Sequence, residues 1–310
     1  MVISIIVCTR NRCQSLDQTL VALRSLEIPA GLSPEIVVVD NGSSDETSLV
    51  LSKHKVGRIP VRHITENCPG LARARNAGLA GSHGEVILFT DDDVTPTRNW
   101  LNEMAAPLVE RKCDFAVGWI RLASELNRVW FTQQHRVWLA VTDELVPCET
   151  QLVGASMGFH RSVLDVVPVF DPELGAGALG YGEETLFSFQ LSEAGFKFRQ
   201  IPEAIVVHKP DCSRLLRSNW IVAARQRGAS AAYILHHWEH GEIRKPWVRL
   251  FIIGMKLRLR RNLGASSSLD SEGIAEWEMS YIASLAKVRR FLVEREKPRA
   301  YPKRGLRKCV

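Results

Sequence analysis

Three consecutive carboxylates, Asp91, Asp92 and Asp93, close an apolar run that reads Glu85-Val-Ile-Leu-Phe-Thr90. Adjacent carboxylates repel, and ionising them together is costly unless a cation lies between them. Oxygen ligands of this hardness suit Mg2+ or Mn2+, ions that commonly bridge to diphosphate oxygens. A run of aspartates also occurs in solvated turns, but one that terminates a wholly apolar strand reads as a site. A second acidic pair, Glu183-Glu184, follows the glycine-rich stretch Gly175-Ala-Gly-Ala-Leu-Gly-Tyr-Gly182. Such a pair can serve as a general base. It can also simply open a helix, whose dipole favours negative charge and lowers basicity. The preceding glycines supply mobility where a second substrate enters and a lid closes, which favours the first reading.

Elements must carry these residues to one place. Val2 to Val7, Glu35 to Asp40, Val61 to Ile64 and Glu85 to Thr90 read as strands. Helical patterns separate them over 15–26, 44–54 and 70–80. Short apolar runs alternating with helices indicate parallel strands covered on both faces. In such a sheet, ligands bind beyond the carboxyl ends of the strands. Thr9-Arg10-Asn11-Arg12, Asp40-Asn41-Gly42-Ser43 and Asp91-Asp92-Asp93 all fall at that rim. Beyond residue 110 the alternation fades. Strands are expected over 114–121, 153–161 and 204–207, the last ending at His208, and a helix over 183–194. The segment 124–150 is open, with helix around Trp130 and Trp138. From 211 onward the chain reads as helical, with a linker near 264–272.

Taken together these segments resemble the family 2 glycosyltransferases of the GT-A fold. The resemblance is carried by residues 2–12, 37–45, 70–78 and 88–93, and by Gly154-Ala-Ser-Met157, 170–175, Tyr181-Gly-Glu-Glu184 and Val206-Val-His208. It covers about two-thirds of the chain, in order. It implies an α/β, Rossmann-like, mostly parallel sheet flanked by helices, and transfer of a sugar from a nucleotide-diphosphate donor, preferentially a uridine one. Asp40 would contact the base or ribose, with Thr9, Arg10, Arg12, Asn41 and Ser43 around it. Arg75 would reach the nucleotide side and hold the acidic rim. Asp92 would meet the ribose, and Asp93, supported by Asp91 and His208, would hold Mn2+ or Mg2+. Glu184 would be the base, although it replaces the commoner Asp and leaves Glu183 as an alternative. Gly154, Ser156 and Tyr181 would face a saccharide acceptor. Ser156 stands where many relatives have Asn, so acceptor specificity does not carry over.

Composition bounds the rest. A chain of 310 residues, 45% apolar and 24% charged, can bury a core without disulfides or a structural metal. Its seven scattered cysteines form no C-x-x-C pair, which argues against a disulfide framework or zinc site and fits a reducing compartment. Neither a signal peptide nor a membrane span is expected, so the expected location is cytoplasmic. Charge is divided: residues 1–208 carry 18 Lys/Arg against 25 Asp/Glu, net −7, and residues 209–310 carry 22 against 9, net +13. The expected organisation is a catalytic domain over 1–210, with a nucleotide-binding half to 110, and a basic helical extension over 211–310. Within the extension, 246–261 combines Trp247, Phe251, Met255 and Leu259 with a stripe of Arg249, Lys256 and Arg260. This pattern suits an anionic membrane surface at the inner face of the cell membrane, and hence a lipid-linked saccharide acceptor. No nucleic-acid motif accompanies the charge. A sugar nucleotidyltransferase would want a glycine-rich, lysine-bearing loop after the first strand. A dehydrogenase would want G-x-G-x-x-G there. A non-catalytic nucleotide-sugar-binding or scaffold protein on the same fold is the remaining alternative, against which the two acidic groups speak.

Overall fold

The computed structural model describes residues 1–144, 146, 151–263 and 268–309; residues 264–267 of the expected linker and 147–150 of the open segment lie outside them. The chain divides into two compact units, one of Met1–Pro172 with Glu183–Pro210, the other of Glu173–Gly182 with Asp211–Val310.

The first unit is built on eight strands: β1 (Val2–Thr9), β2 (Ser33–Asp40), β3 (Val61–Thr65), β4 (Val86–Asp91), β5 (Val94–Pro96), β6 (Phe115–Leu122), β7 (Met157–His160) and β8 (Phe198–His208). Their order in the sheet is β3-β2-β1-β4-β7-β6-β8-β5. Helices α1 (Cys13–Arg24), α2 (Thr47–His54), α3 (Leu71–Gly81), α4 (Trp100–Val109), α5 (Gln133–Trp138) and α6 (Glu183–Glu193) connect them.

Ile3, Ile5, Ile36, Val38 and Leu88 pack with Leu16, Leu20 and Leu23 of α1 and with Trp100, Leu101 and Met104 of α4. Leu16, Leu20 and Leu23 recur at helical spacing, which is why α1 presents one apolar stripe. The other face takes α3, which approaches so closely that a Cβ on Gly78 would lie 2.6 Å from Ile6 Cγ2. Phe89, Phe159, Phe187 and Phe170 form a closed ring of tilted and edge-to-face contacts on that face. Helices on both faces of a parallel sheet leave the strand ends as the place for polar residues. The register confirms the alignment: Thr9 pairs with Asp40, and Cys8 with Asp91.

Beyond β4 the sheet is mixed. Four pairings are parallel, but β7 runs antiparallel to both β4 and β6, and β5 antiparallel to β8. β8 starts at Phe198, well before the apolar run at 204–207, because a bulge splits its pairing: Gly118 faces Ile201, whereas Trp119 faces Ile205. β7 is shorter than 153–161, since Gly154–Ser156 form a 3-10 turn. In the open segment, α5 begins after Trp130 and ends at Trp138.

The second unit contains α7 (Arg217–His237), α8 (Pro246–Leu263) and α9 (Glu276–Glu294). α7 meets α9 at Gly228, where a Cβ would lie 2.1 Å from the Ala283 carbonyl oxygen. Buried Glu278 ties the three helices: it accepts from Arg217 Nη1 at 3.0 Å and Nη2 at 2.5 Å, and from Arg261 Nε at 2.7 Å. No helix among the described residues is long and apolar enough to cross a membrane.

Candidate functional site

The rim of the first unit gathers most of the residues singled out above. β4 ends in Asp91, and the tight turn into β5 folds Asp92 and Asp93 back into the interior, 4% and 6% exposed. Asp92 Oδ2 accepts from Thr9 Oγ1 at 2.7 Å. Arg12 Nη1 donates to Asp92 Oδ1 and to Asp93 Oδ2, both at 2.9 Å. Burial by itself disfavours a charged Arg12, but Asp92 and then Asp93 outweigh it and hold its pKa above the usual guanidinium range. Burial also pushes Asp92 up to about 6, against the pull of Arg12. Asp91 is raised too, by burial and by Asp93. A rim whose carboxylates hold protons this readily is one that a cation would relieve.

His208 ends β8 opposite Val94, one residue beyond Asp93. Its Nδ1 lies 2.9 Å from the Leu139 carbonyl oxygen and its Nε2 3.2 Å from Asp93 Oδ1. A proton on Nδ1 donated to that carbonyl leaves the Nε2 lone pair aimed at the aspartates, the arrangement that orients a metal-binding imidazole. Asp91, Asp93 and His208 each offer a ligand atom within 4.8 Å of the others. Two carboxylates and one imidazole fit Mn2+ well and Mg2+ through the carboxylates. Thus Asp91, Asp93 and His208 could hold a divalent ion.

A second cluster adjoins Asp91. Arg75, on α3, is 3% exposed and lies against the rings of Phe89 and Phe170. Its Nη1 donates to Glu183 Oε1 at 2.6 Å and lies 3.7 Å from Glu184 Oε2, and its Nη2 lies 4.0 Å from Asp91 Oδ1. The guanidinium therefore joins the triple aspartate to the acid pair at the start of α6. Its reach depends on Gly154, where a Cβ would lie 2.1 Å from Arg75 Nη2. Glu183 is raised to about 8, first by burial and then by the neighbouring Glu184 carboxylate, against Arg75. The two glutamates differ in access: the Glu183 side chain is 3% exposed and that of Glu184 22%. Cys8, beneath this cluster, has its thiol pushed up to about 12 by burial.

The remaining expected residues fall in three settings. Asp40 accepts the backbone N–H of Ser43 at 2.8 Å, and Asn41 receives Gly70 N–H while its own amide donates to the Glu66 and Cys68 carbonyls. Ser43 Oγ accepts from Asn11 N–H, and Arg10 is exposed at the same turn. Ser156 has no exposed surface, and its Oγ accepts from the buried Trp100 indole at 2.9 Å. Tyr181 belongs to the second unit, its ring 4.1 Å from the Arg227 guanidinium carbon. Sequence reasoning missed Leu139, whose carbonyl orients His208 and carries no side-chain signal. It placed Asn11 at the rim without a role; its φ of 54° marks the left-handed turn that brings it to Ser43 and Ser44.

The family described as "Glycosyl transferase family 2" matches residues 4–166, more than half the chain, including the rim ends of β1, β2 and β4. The chain belongs to glycosyl transferase family 2. Among curated members, the pre-mycofactocin glycosyltransferase of Mycobacterium tuberculosis is 28% identical over 243 residues, covering 74% of this chain and 47% of that protein. Glycosyltransferase AglE of Haloferax volcanii is 30% identical over 100 residues, 32% of this chain and 33% of that one. The chain thus spans about half or less of the length of these relatives. Among solved structures, the mannosyltransferase PcManGT from Pyrobaculum calidifontis, crystallised with GDP-Man and Mn2+, superposes with a TM-score of 0.59 at 16% identity, over 95% of this chain and 86% of that one. TarS of S. aureus in complex with UDP-GlcNAc gives 0.51 at 18% identity, over 83% and 72%. At these identities the likeness establishes the GT-A fold of this family member.

Proposed function

We propose that this family 2 member transfers a glycosyl group from a nucleotide-diphosphate sugar, with uridine as the favoured base, to a hydroxyl of a saccharide or lipid-linked saccharide, with inversion at the anomeric carbon. The observation that carries the reading is the juxtaposition, within one unit, of the Asp91–Asp93–His208 group with the acid pair through buried Arg75. Likeness to structures holding GDP-Man with Mn2+ and UDP-GlcNAc supports the donor class.

In this reading Asp40, with Thr9, Arg10, Asn41 and Ser43, receives the base and ribose end of the donor, and Asp92, held by Thr9 and Arg12, takes the ribose. Asp91, Asp93 and His208 hold Mn2+ or Mg2+, which when bound neutralises charge on the leaving diphosphate. Glu184 takes the proton of the acceptor hydroxyl as that oxygen bonds to the anomeric carbon. The bond from that carbon to the diphosphate oxygen breaks on the opposite face, and the nucleoside diphosphate departs. Glu183, more deeply buried and bonded to Arg75, positions its neighbour. Gly154 makes room for Arg75 in the turn before β7, and buried Ser156 holds that turn to Trp100. Residues 1–110 serve the nucleotide, 111–210 the acceptor and the chemistry, and the basic helices after 211 a peripheral place at the inner face of the cell membrane.

The test is calorimetric titration of UDP with and without Mn2+, followed by a screen of UDP- and GDP-sugars for metal-dependent hydrolysis. Binding that requires the ion, and hydrolysis of at least one donor, are expected. Equal affinity with and without the ion would remove the metal from the reading.

A further inference from the structure

α8 carries two apolar faces, and its own unit consumes one of them. Leu250 packs against Ile243, Val288 and Phe291, and Leu257 is buried. The outward side holds Trp247 and Phe251, 68% and 70% exposed, with Val248, Ile252, Met255 and Leu259 between 39% and 54%. At 3.6 residues per turn these six side chains fall within an arc of about 140°. Arg249 and Lys256 run exposed along one edge of that arc, and Arg258 stands inside it near the helix end. α8 contains five Lys/Arg and no acidic residue. Arg261 is engaged by Glu278, and Arg260 lies over the rings of Trp277 and Tyr281. No ion pair among the described residues engages Arg249, Lys256 or Arg258.

We infer that α8 docks in the interfacial layer of an anionic lipid bilayer, with Trp247, Phe251 and Met255 at the level of the acyl chains and Arg249, Lys256 and Arg258 against the phosphates. The inference deepens the membrane contact proposed above: the sequence pointed to 246–261 with a stripe of Arg249, Lys256 and Arg260, whereas the structure turns Arg260 onto Trp277 and Tyr281 and sets exposed Arg258 among the outward apolar side chains. Charge decides the occupant. A second copy of the same face would set cation against cation with no carboxylate on either helix, and like-charge juxtaposition opposes such pairing. An anionic bilayer supplies both partners at once, an apolar boundary for the rings and phosphates for the cations. The charges along the helix keep it in the plane of the surface, in keeping with the lack of a spanning segment among the described residues.

The full chain is sedimented with phosphatidylcholine vesicles, with and without phosphatidylglycerol, in the absence of donor and acceptor. The result therefore stands or falls apart from the transfer reaction. Binding to the anionic vesicles alone, weakened by salt, is expected. The triple variant R249Q/K256Q/R258Q should lower that binding about a hundredfold. The double variant W247S/F251S should lower it at least about tenfold. Both sets of residues are exposed, so melting temperatures should match the parent, which separates docking from folding. Trp247→Phe should keep binding but lose the part of the fluorescence quenching by brominated lipid that reports on position 247. Unchanged binding by the triple and double variants, equal binding to both vesicle types, or no binding would overturn the inference. So would a dimer dissolved by Phe251→Ser in sedimentation velocity without vesicle binding, which would assign the face to a second copy.

Discussion

Glu184 and Glu183 are adjacent in sequence and unequal in environment, and each carries its own prediction. Glu184 retains access, so Glu184→Gln should reduce transfer by about 10^2 to 10^4 while leaving UDP affinity in the presence of Mn2+ unchanged, read by turnover and calorimetry. Full turnover in that variant would move the proton-accepting role elsewhere. Glu183 is raised from its ordinary 4.5 to about 8, so the folded state binds its proton more tightly than the unfolded chain does. Its contribution to stability is therefore complete below about 4.5 and is lost as pH rises towards 8. Glu183→Gln, which keeps the shape and cannot ionise, should flatten the fall of melting temperature between those limits in metal-free protein. The aspartates were legible as a group because three adjacent carboxylates at a strand end have few inexpensive explanations. His208 could be singled out only through the family pattern, since 115 residues of chain separate it from Asp93 and nothing local announces their approach. Ser156 shows the opposite case: the same pattern points to the acceptor, whereas its hydroxyl is occupied by Trp100, a residue whose sequence context carried no sign of that bond.

Among the elements, the strands buried on both faces were the easiest to read. β1, β2 and β4 lie within a few residues of their expected bounds because short uninterrupted apolar runs are comfortable in strands covered on both faces. β5 was invisible, being three residues long and ending in proline, an edge strand by necessity. The first part of β8 was hidden by polar side chains: Arg199, Gln200 and Glu203 break the apolar run, and pairing there is held by β6 across a bulge. Antiparallel β7 could not be foreseen, because strand direction depends on partners distant in sequence. Helix contacts give a prediction in which two effects compete. Gly228→Ala would gain about 1 kcal/mol of helix propensity in α7. The added methyl would sit 2.1 Å from the Ala283 carbonyl oxygen, a backbone atom that cannot swing aside, and forced overpacking costs about 1–3 kcal/mol. The net change should be destabilising, and a raised denaturation midpoint in urea would show that α7 and α9 separate freely.

At the scale of the whole molecule, charge is sorted along the chain, −7 before residue 209 and +13 from it onward, so the two ends suit different ligands. If the rim binds UDP with an ion, saturating both at about 100 times the dissociation constant should stabilise the protein by about 2.7 kcal/mol, seen as a higher melting temperature. Asp93→Asn should lose that increment, and retention of it would place the nucleotide elsewhere. The bond between Arg75 and Glu183 spans 108 positions, and Asn76, the next residue, exchanges hydrogen bonds with Phe170 across 94. A ribosome adding roughly 5–20 residues per second needs roughly 5–20 s to cover the longer gap. Throughout that interval the nascent chain has made its cation and not yet the carboxylate that will face it. Arg75 must therefore remain hydrated, and the half of the fold already synthesised waits, unsealed, for its last partner to emerge.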